Sequence, residues 1–185
     1  MTVGILALQG NFAEHCQMIE KIGHAAVEVR TLDGLALADR LILPGGESTV
    51  IGRLLQETGI AKEIIRRQQE ASLPLYGTCA GAILLAREVV NDDMDTLGLI
   101  NISITRNAYG RQPQSFRADL AIRDIKHPVP VSFIRAPQIV EVGEGVEVLA
   151  EHEGLPVLVR QGSVLVGTFH SELTGDASVH ELFVV

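Results

Sequence analysis

Short apolar segments alternate with amphipathic segments through the first half of the chain, and this alternation constrains the fold more than any other feature of the sequence. Four apolar runs are typical of strands buried on both faces of a sheet, at residues 3–8, 25–29, 40–43 and 74–76. Apolar residues follow the first run at helical spacing from Phe12 to Ile22, before Gly23. Further helices are predicted from a cap at Ser48, at 60–71 and at 80–89. Strands that alternate with helices in this way pair in parallel through right-handed crossovers.

From about residue 99 the pattern changes to strands separated by turn residues. These strands are predicted at 100–105, 115–122, 129–134, 145–150, 155–159 and 164–168. Strands that follow one another through turns favour antiparallel pairing. Because no linker, repeat or low-complexity segment divides the chain, we expect residues 1–185 to form one α/β domain. Its three layers (α/β/α) would enclose a mostly parallel central sheet, extended by antiparallel strands.

The most informative turn joins a predicted strand to a predicted helix and reads Gly77-x-Cys79-x-Gly81. A nucleophile elbow needs this arrangement, because the nucleophile sits on a strained turn and small neighbours let the backbone bend there. The helix N-terminus behind Cys79 favours a thiolate, and the Ala80 N–H would be a donor to an oxyanion. We therefore interpret Cys79 as a nucleophile. Cys16, on the apolar stripe of the first helix, is interpreted as a packing residue.

A nucleophilic cysteine needs a base, and the base needs a group that orients it. His170 follows the predicted strand that ends the sheet, and Glu172 lies close enough along the chain to accept its imidazole N–H. His15 could be a functional or a packing residue. The remaining histidines are interpreted as surface or packing residues: His24, His127, His152 and His180.

A second glycine turn, at residues 43–48, follows another predicted strand. Ligands of parallel sheets bind at such strand ends, and the backbone N–H groups of this turn could complete an oxyanion hole. A simple turn followed by a helix cap explains the same residues, and the two glycines do not decide between these interpretations.

Charge and composition exclude several partners. The net charge of −8 and the absence of Trp argue against a nucleic acid and against an anionic membrane surface. Two cysteines are too few for a disulfide scaffold, no basic segment precedes an N-terminal apolar run, and no apolar run is long enough to span a membrane. We expect a cytoplasmic protein with no metal and no cofactor.

The elbow and the His170-Ser-Glu172 segment resemble the triad of class I glutamine amidotransferases. Four longer blocks are similar to the glutaminase subunits of pyridoxal 5′-phosphate synthase, at residues 7–15, 44–49, 106–112 and 132–137. The resemblance extends from Val3 to the C-terminus and implies a flavodoxin-like fold of the class I glutamine amidotransferase type.

The resemblance implies hydrolysis of L-glutamine to L-glutamate and ammonia. Cys79 would form a glutamyl thioester, His170 would transfer protons and Glu172 would orient His170. The residues that would bind glutamine or form the oxyanion hole are Gly46, Glu47, Ser48, Ala80, Arg106, Ile134 and Arg135. Arginine suits the carboxylate of an amino-acid substrate.

The resemblance also implies a protein partner. A synthase subunit would use the ammonia, with ribose 5-phosphate and glyceraldehyde 3-phosphate, to make pyridoxal 5′-phosphate. The two subunits would form a large hetero-oligomer in which docking activates a weak glutaminase. The turn at residues 9–11 is a plausible part of the docking region.

Three other interpretations compete with this one. A cysteine peptidase or a protective thiol hydrolase on a similar fold usually carries His directly after the nucleophile, where this chain has Ala80. A glutaminase that serves imidazole-glycerol-phosphate synthase is less consistent with the blocks at 106–112 and 132–137. A flavodoxin-like binding module would leave Cys79 as a packed, inert residue.

Overall fold

A computed structural model describes residues 1–90, 92–106 and 115–185. The helices and strands in chain order are β1 (Thr2–Leu6), α1 (Phe12–Lys21), β2 (Ala25–Val29), α2 (Leu32–Ala36), β3 (Arg40–Leu43), α3 (Ser48–Glu57), α4 (Ile60–Ala71), β4 (Leu75–Thr78), α5 (Ala80–Leu85), β5 (Ala86–Val89), β6 (Ile100–Thr105), β7 (Ser115–Leu120), β8 (Val129–Ile134), β9 (Gln138–Val142), β10 (Glu147–His152), β11 (Leu155–Gln161), β12 (Val164–Gly167) and α6 (Ser178–Val184).

The central sheet has seven strands in the order β10-β11-β12-β4-β3-β1-β2. The strands from β12 to β2 are parallel, and β10 and β11 extend the sheet through antiparallel pairs. Two smaller sheets contain β5-β6-β9 and β7-β8. The expected α/β fold, with a mostly parallel sheet and additional antiparallel strands, is confirmed.

Alternate residues of the buried strands face two separate hydrophobic clusters, one on each face of the sheet. Leu6 and Leu43 pack in the cluster that contains the apolar residues of α2, α3, α4 and α5. Ile5 and Ile42 pack in the cluster that contains those of α1 and α6. Continuous apolar runs are therefore required in β1 and β3, because both faces of these strands are covered.

The chain leaves β1 toward β2 on one side and later returns to β3 on the other, so the strand order reverses between β1 and β3. In open parallel sheets, ligands bind in the crevice at the carboxyl ends of the strands at such a reversal. The turns at residues 9–11 and 44–46 follow the ends of β1 and β3 at this edge. Cys79 follows the end of β4, next to them.

Two local predictions are wrong. The helix expected over 80–89 ends at Leu85, and Ala86–Val89 forms β5 because it pairs with β6. A partner strand outside the segment thus overrides its helical pattern. Ser48 does not cap α3: it is the first helical residue, the N-cap is Glu47, and no side-chain cap hydrogen bond forms.

Candidate active site

Two glycine turns approach each other closely at the carboxyl edge of the sheet. The Asn11 N–H donates to the Gly45 carbonyl at 3.0 Å. A Cβ on Gly10, which has a φ of +104°, would lie 1.9 Å from that carbonyl oxygen, and a Cβ on Gly45 would lie 2.3 Å from Cε1 of His170. Only glycine permits these contacts, so the turns bring the β1 and β3 ends against His170.

Cys79 stands on a strained turn between β4 and α5. Its φ of 49° and ψ of −101° are unusual for a residue with a side chain, and its N–H donates to the Gly167 carbonyl at 2.9 Å. A Cβ on Gly81 would lie 2.0 Å from the Leu43 carbonyl oxygen, and a Cβ on Gly77 would lie 2.6 Å from that of Gly81. Close backbone approach therefore accounts for both glycines of the Gly-x-Cys-x-Gly segment.

His170 extends from the end of β12 and is fixed by its neighbours. Its backbone pairs with Ser132 through hydrogen bonds of 2.8 and 3.1 Å. Its Nδ1 lies 2.6 Å from Oε1 of Glu172, which leaves Nε2 for Cys79. Burial disfavours the imidazolium, but hydrogen bonds to Cys79 and Glu172 outweigh burial and raise the pKa of His170 to about 10.

Glu172 lies behind His170 and is 2% exposed. Burial alone would raise its pKa, but the imidazoles of His15 and His170 outweigh burial and lower the pKa of Glu172 to about 2. Oε1 also accepts a long hydrogen bond of 3.4 Å from the Asn11 amide. Among the described residues, Oε2 has no hydrogen-bond partner.

A cavity of about 450 Å³ opens beside Cys79. Every residue predicted for the site except Glu172 lines it. The full lining is Gln9, Asn11, Gly46, Glu47, Ser48, Cys79, Ala80, Ile83, Arg106, Ile134, Arg135 and His170. Of these, Ile83 was missed by sequence reasoning, and Gln9 and Asn11 were expected only in a docking region.

The two arginines of the cavity differ in their surroundings. The Arg106 guanidinium donates to Asp92 at 2.8 Å and to Glu47 at 3.4 Å. Arg135 is exposed and has a φ of 44°, and its side chain makes no hydrogen bond or ion pair within the part of the chain that the structure describes. Of the block predicted at 106–112, only Arg106 lies within the described residues.

The Glu47 N–H, a predicted oxyanion donor, is already engaged. It donates to the side-chain oxygen of Gln9 at 2.7 Å. A Cβ on Gly46 would lie 2.4 Å from the same oxygen, so the glycine lets Gln9 reach across the turn.

Two histidines lie behind Glu172, and sequence reasoning did not assign them to the site. His15 and His180 are both fully buried, with His15 Nδ1 at 2.9 Å from His180 Nε2. For His15 the sequence contained one sign of burial, because His15 falls on the same face of α1 as Phe12 and Ile19. Nothing in the local sequence of α6 distinguishes His180 from a surface histidine.

Within residues 1–90, 92–106 and 115–185, no group of three or more His, Cys, Asp or Glu side chains is arranged to hold a metal ion. In the same ranges, no helix is long and apolar enough to cross a membrane.

Comparisons with known proteins extend over almost the whole chain. A pyridoxal 5′-phosphate synthase subunit PdxT from Chloroflexus aggregans is 51% identical over 189 residues, covering 100% of this chain and 99% of the relative. A crystal structure of a glutamine amidotransferase is 49% identical with a TM-score of 0.94, covering 98% of this chain and 96% of that one. The structure of PurLQS from Thermotoga maritima shares the fold, with a TM-score of 0.71 at 16% identity over 99% of this chain and 96% of that one.

The family comparison covers nearly the whole chain. The model of the SNO glutamine amidotransferase family matches residues 5–185, and the matched residues include both glycine turns, the cysteine elbow and the His170–Glu172 segment. This chain belongs to the SNO glutamine amidotransferase family.

Proposed function

We propose that this chain hydrolyses L-glutamine to L-glutamate and ammonia through a Cys79–His170–Glu172 triad and a γ-glutamyl thioester. One observation carries the proposal: a strained, cavity-facing Cys79 stands beside an imidazole whose Nδ1 lies 2.6 Å from a buried carboxylate. A catalytic triad needs a nucleophile, a base beside it and a group that orients the base, and these three groups stand in that order here.

In the first half of the reaction, the Cys79 thiolate attacks the side-chain carboxamide carbon of glutamine. The carbonyl oxygen becomes an oxyanion, which the N–H groups of Ala80, Gly46 and Ser48 would stabilise, joined by the Glu47 N–H once it is released from the Gln9 side chain. His170 donates its Nε2 proton to the departing nitrogen as the C–N bond breaks. Ammonia leaves, and a γ-glutamyl thioester remains on Cys79.

In the second half, His170 acts as a base. Its Nε2 takes a proton from water, and the hydroxide formed attacks the thioester carbon. The C–S bond breaks, which regenerates the Cys79 thiolate and releases glutamate. Glu172 stays ionised throughout and holds the Nδ1–H tautomer of His170, so Nε2 always faces the reaction.

The arginines supply the charge that an amino-acid substrate requires. We propose that Arg135, Arg106 and Ile134 bind the backbone end of glutamine, with an arginine on its carboxylate. Arg135 has no competing carboxylate among the described residues, whereas Arg106 already contacts Asp92 and Glu47. A substrate carboxylate would therefore replace part of the Arg106 ion pairing but would meet Arg135 directly.

We further propose that residues 1–185 act as one glutaminase unit whose ammonia passes to a synthase subunit. The synthase would combine it with ribose 5-phosphate and glyceraldehyde 3-phosphate to form pyridoxal 5′-phosphate within a hetero-oligomer. The relative from Chloroflexus aggregans, matched over 99% of its length, is named as a subunit of that synthase.

The two cysteines provide a matched test of the catalytic assignment. Glutamate release is measured for wild type, Cys79→Ala and Cys16→Ala, each with and without the synthase subunit. Cys79→Ala should lose activity by about a thousandfold or more, because no acyl intermediate forms. Cys16→Ala should stay within about twofold of wild type, since this residue lies on α1, packs against an apolar cluster and does not line the cavity. Substantial glutaminase activity in folded Cys79→Ala would refute the triad.

Ammonia delivery is tested with glutamine labelled with ¹⁵N in its side-chain amide. The label should enter pyridoxal 5′-phosphate even in excess unlabelled ammonium when wild-type chain and synthase are combined. Equal glutaminase turnover with and without the synthase, or dilution of the label to the value of free ammonium, would count against coupling.

A further inference from the structure

Behind the triad, a chain of buried polar contacts continues past Glu172. His15 on α1 places Nε2 3.2 Å from Oγ1 of Thr78 and 3.6 Å from Oε2 of Glu172. Its other nitrogen, Nδ1, lies 2.9 Å from Nε2 of His180 on α6. Thus α1 and α6, which come from opposite ends of the sequence, meet behind the carboxylate that orients His170.

The hydrogen-bonding needs of these groups decide the tautomers. Oε2 of Glu172 is buried and has no hydrogen bond among the described residues. An N–H on Nε2 of His15, which lies 3.2 Å from Oγ1 of Thr78 and 3.6 Å from Oε2, faces this carboxylate oxygen as an electrostatic partner at a separation beyond a hydrogen bond. Nδ1 of His15 is then an acceptor, and Nε2–H of His180 donates to it. Nδ1 of His180, which has no partner in the described part of the chain, is left as a bare acceptor and not as a buried N–H without an acceptor.

We propose that His15 is a positioning residue for the triad: its Nε2–H directs the carboxylate of Glu172 toward His170, and His180 fixes the tautomer of His15. The proposal rests on the proposed catalytic role of Cys79, His170 and Glu172. His15 does not line the cavity, so it acts on the reaction only through Glu172.

The surroundings keep both outer imidazoles uncharged. His15 faces Glu172 and His170 beyond the sheet edge, His180 on α6, the edge of the Tyr76 ring on β4 and Glu14 on its own helix. Burial is the largest influence and lowers the pKa of His15. Burial and the neighbouring His15 also lower the pKa of His180, to about 3. Two neutral rings deliver an N–H to Glu172 without adding a second cation beside His170.

Two amide substitutions separate positioning from packing. In His15→Gln the side-chain N–H can occupy the place of Nε2 and reach Glu172, whereas in His15→Asn it reaches only the place of Nδ1, toward His180. His15→Leu removes both contacts. The variants are compared in the complex with the synthase subunit by kcat and KM for glutamine. The rate at which iodoacetamide alkylates Cys79 between pH 5 and 8 is measured on the same samples.

We expect His15→Gln to keep kcat within about threefold of wild type and His15→Asn to lose about tenfold to a hundredfold, the range for outer groups that orient a histidine. KM should change less than twofold in both. Alkylation of Cys79 near neutral pH should fall in His15→Asn and not in His15→Gln. A misdirected Glu172 stabilises the His170 imidazolium less, and this imidazolium stabilises the Cys79 thiolate that iodoacetamide attacks. If His15→Leu fails to fold, the two amides still decide the matter.

The proposal is overturned if both amides match wild type in kcat and alkylation, if both lose activity equally, or if KM rises while kcat stays constant. The alkylation readout does not use glutamine, so it separates this proposal from the glutaminase assignment. Glutaminase activity that survives Cys79→Ala would refute the assignment. Unchanged alkylation in His15→Asn would refute the role of His15.

Discussion

The two sides of His170 differ sharply in their physical character. On the front, Cys79, the glycine turns and the arginines surround an open cavity of about 450 Å³. On the back, Glu172 is 2% exposed, and His15 and His180 are fully buried. A front that admits glutamine and water can use exposed charges and backbone N–H groups. Burial at the back strengthens each polar contact and makes each missing hydrogen-bond partner costly.

The same contrast separates the two cysteines. Cys79 lies on the front beside His170 and Ala80. Cys16 is half-buried against the apolar cluster of α1 and α6. Burial, followed by the charges of Glu28 and Glu20, raises the pKa of the Cys16 thiol to about 11, so Cys16 stays protonated at neutral pH.

Among substitutions that leave the Cys79 nucleophile in place, the largest effect is expected at the back of the site. Glu172→Gln should lower kcat by about a thousandfold with little change in KM, because an amide no longer enforces the Nδ1–H tautomer of His170. The measurement is steady-state glutamate release by the complex with the synthase subunit. Glu181→Gln, on the exposed face of α6, is the matched control and should behave as wild type. A loss confined to KM would place Glu172 in substrate binding instead.

In the elbow that carries Cys79, Gly81→Ala should destabilise the fold by about 3 kcal/mol, because its Cβ would lie 2.0 Å from the Leu43 carbonyl oxygen. Gly34→Ala is the control, since the atoms nearest to its new Cβ, the Glu28 carbonyl oxygen and the Val29 Cα, lie 3.6 Å away, an ordinary contact distance, and its φ is ordinary. The free energy of unfolding in urea compares the two. Equal stabilities would show that the elbow relaxes without cost.

On the front, Arg135→Gln should raise KM for glutamine by about tenfold to a hundredfold with kcat nearly unchanged. A lost hydrogen bond to a charged group is worth about 1.5–3 kcal/mol and acts on the substrate carboxylate before and during the reaction. Arg123→Gln, whose partner is Glu147 on the far strand β10, controls for the change in net charge. A fall in kcat at constant KM would remove Arg135 from substrate binding.

The smallest expected effect is on the pH dependence of the free energy of unfolding, and it arises from the buried His180 at the back of the site. The folded state holds the pKa of His180 near 3, below its ordinary 6.5, so the unfolded chain binds the proton first. This contribution to stability is complete above pH 6.5 and is lost as the pH falls toward 3, on the order of 1.4 kcal/mol per pH unit. In urea unfolding at pH 7, 6 and 5, His180→Gln should flatten the decline. His24→Gln, in a half-buried loop position between α1 and β2, should not.

Much of the front could be predicted from the sequence because its signals are local. A strand, a glycine-flanked cysteine and a helix follow one another along the chain, and His170 and Glu172 are two residues apart. The parallel sheet follows from the same local alternation, and the convergence of strand ends at one edge follows from the parallel sheet.

The back could not be predicted because its contacts join distant segments. His15 and His180 lie 165 positions apart and meet only after α6 packs on the sheet beside α1. The α2, β9 and α6 segments were missed for a similar reason: each is short, and tertiary partners supply what the local sequence lacks. The error at Ala86–Val89 has the same origin, since β6 turns an apparent helix end into a strand.

The most direct test of the central claim is covalent labelling by a glutamine analogue that carries an electrophilic chloroketone in place of the side-chain amide. The complex with the synthase subunit is treated with the analogue, digested and mapped by mass spectrometry. We expect one label per chain, on Cys79 and not on Cys16, with protection by excess L-glutamine and none by L-asparagine. Labelling of Cys16 instead, no labelling, or labelling of Cys79 that glutamine does not slow would contradict that claim.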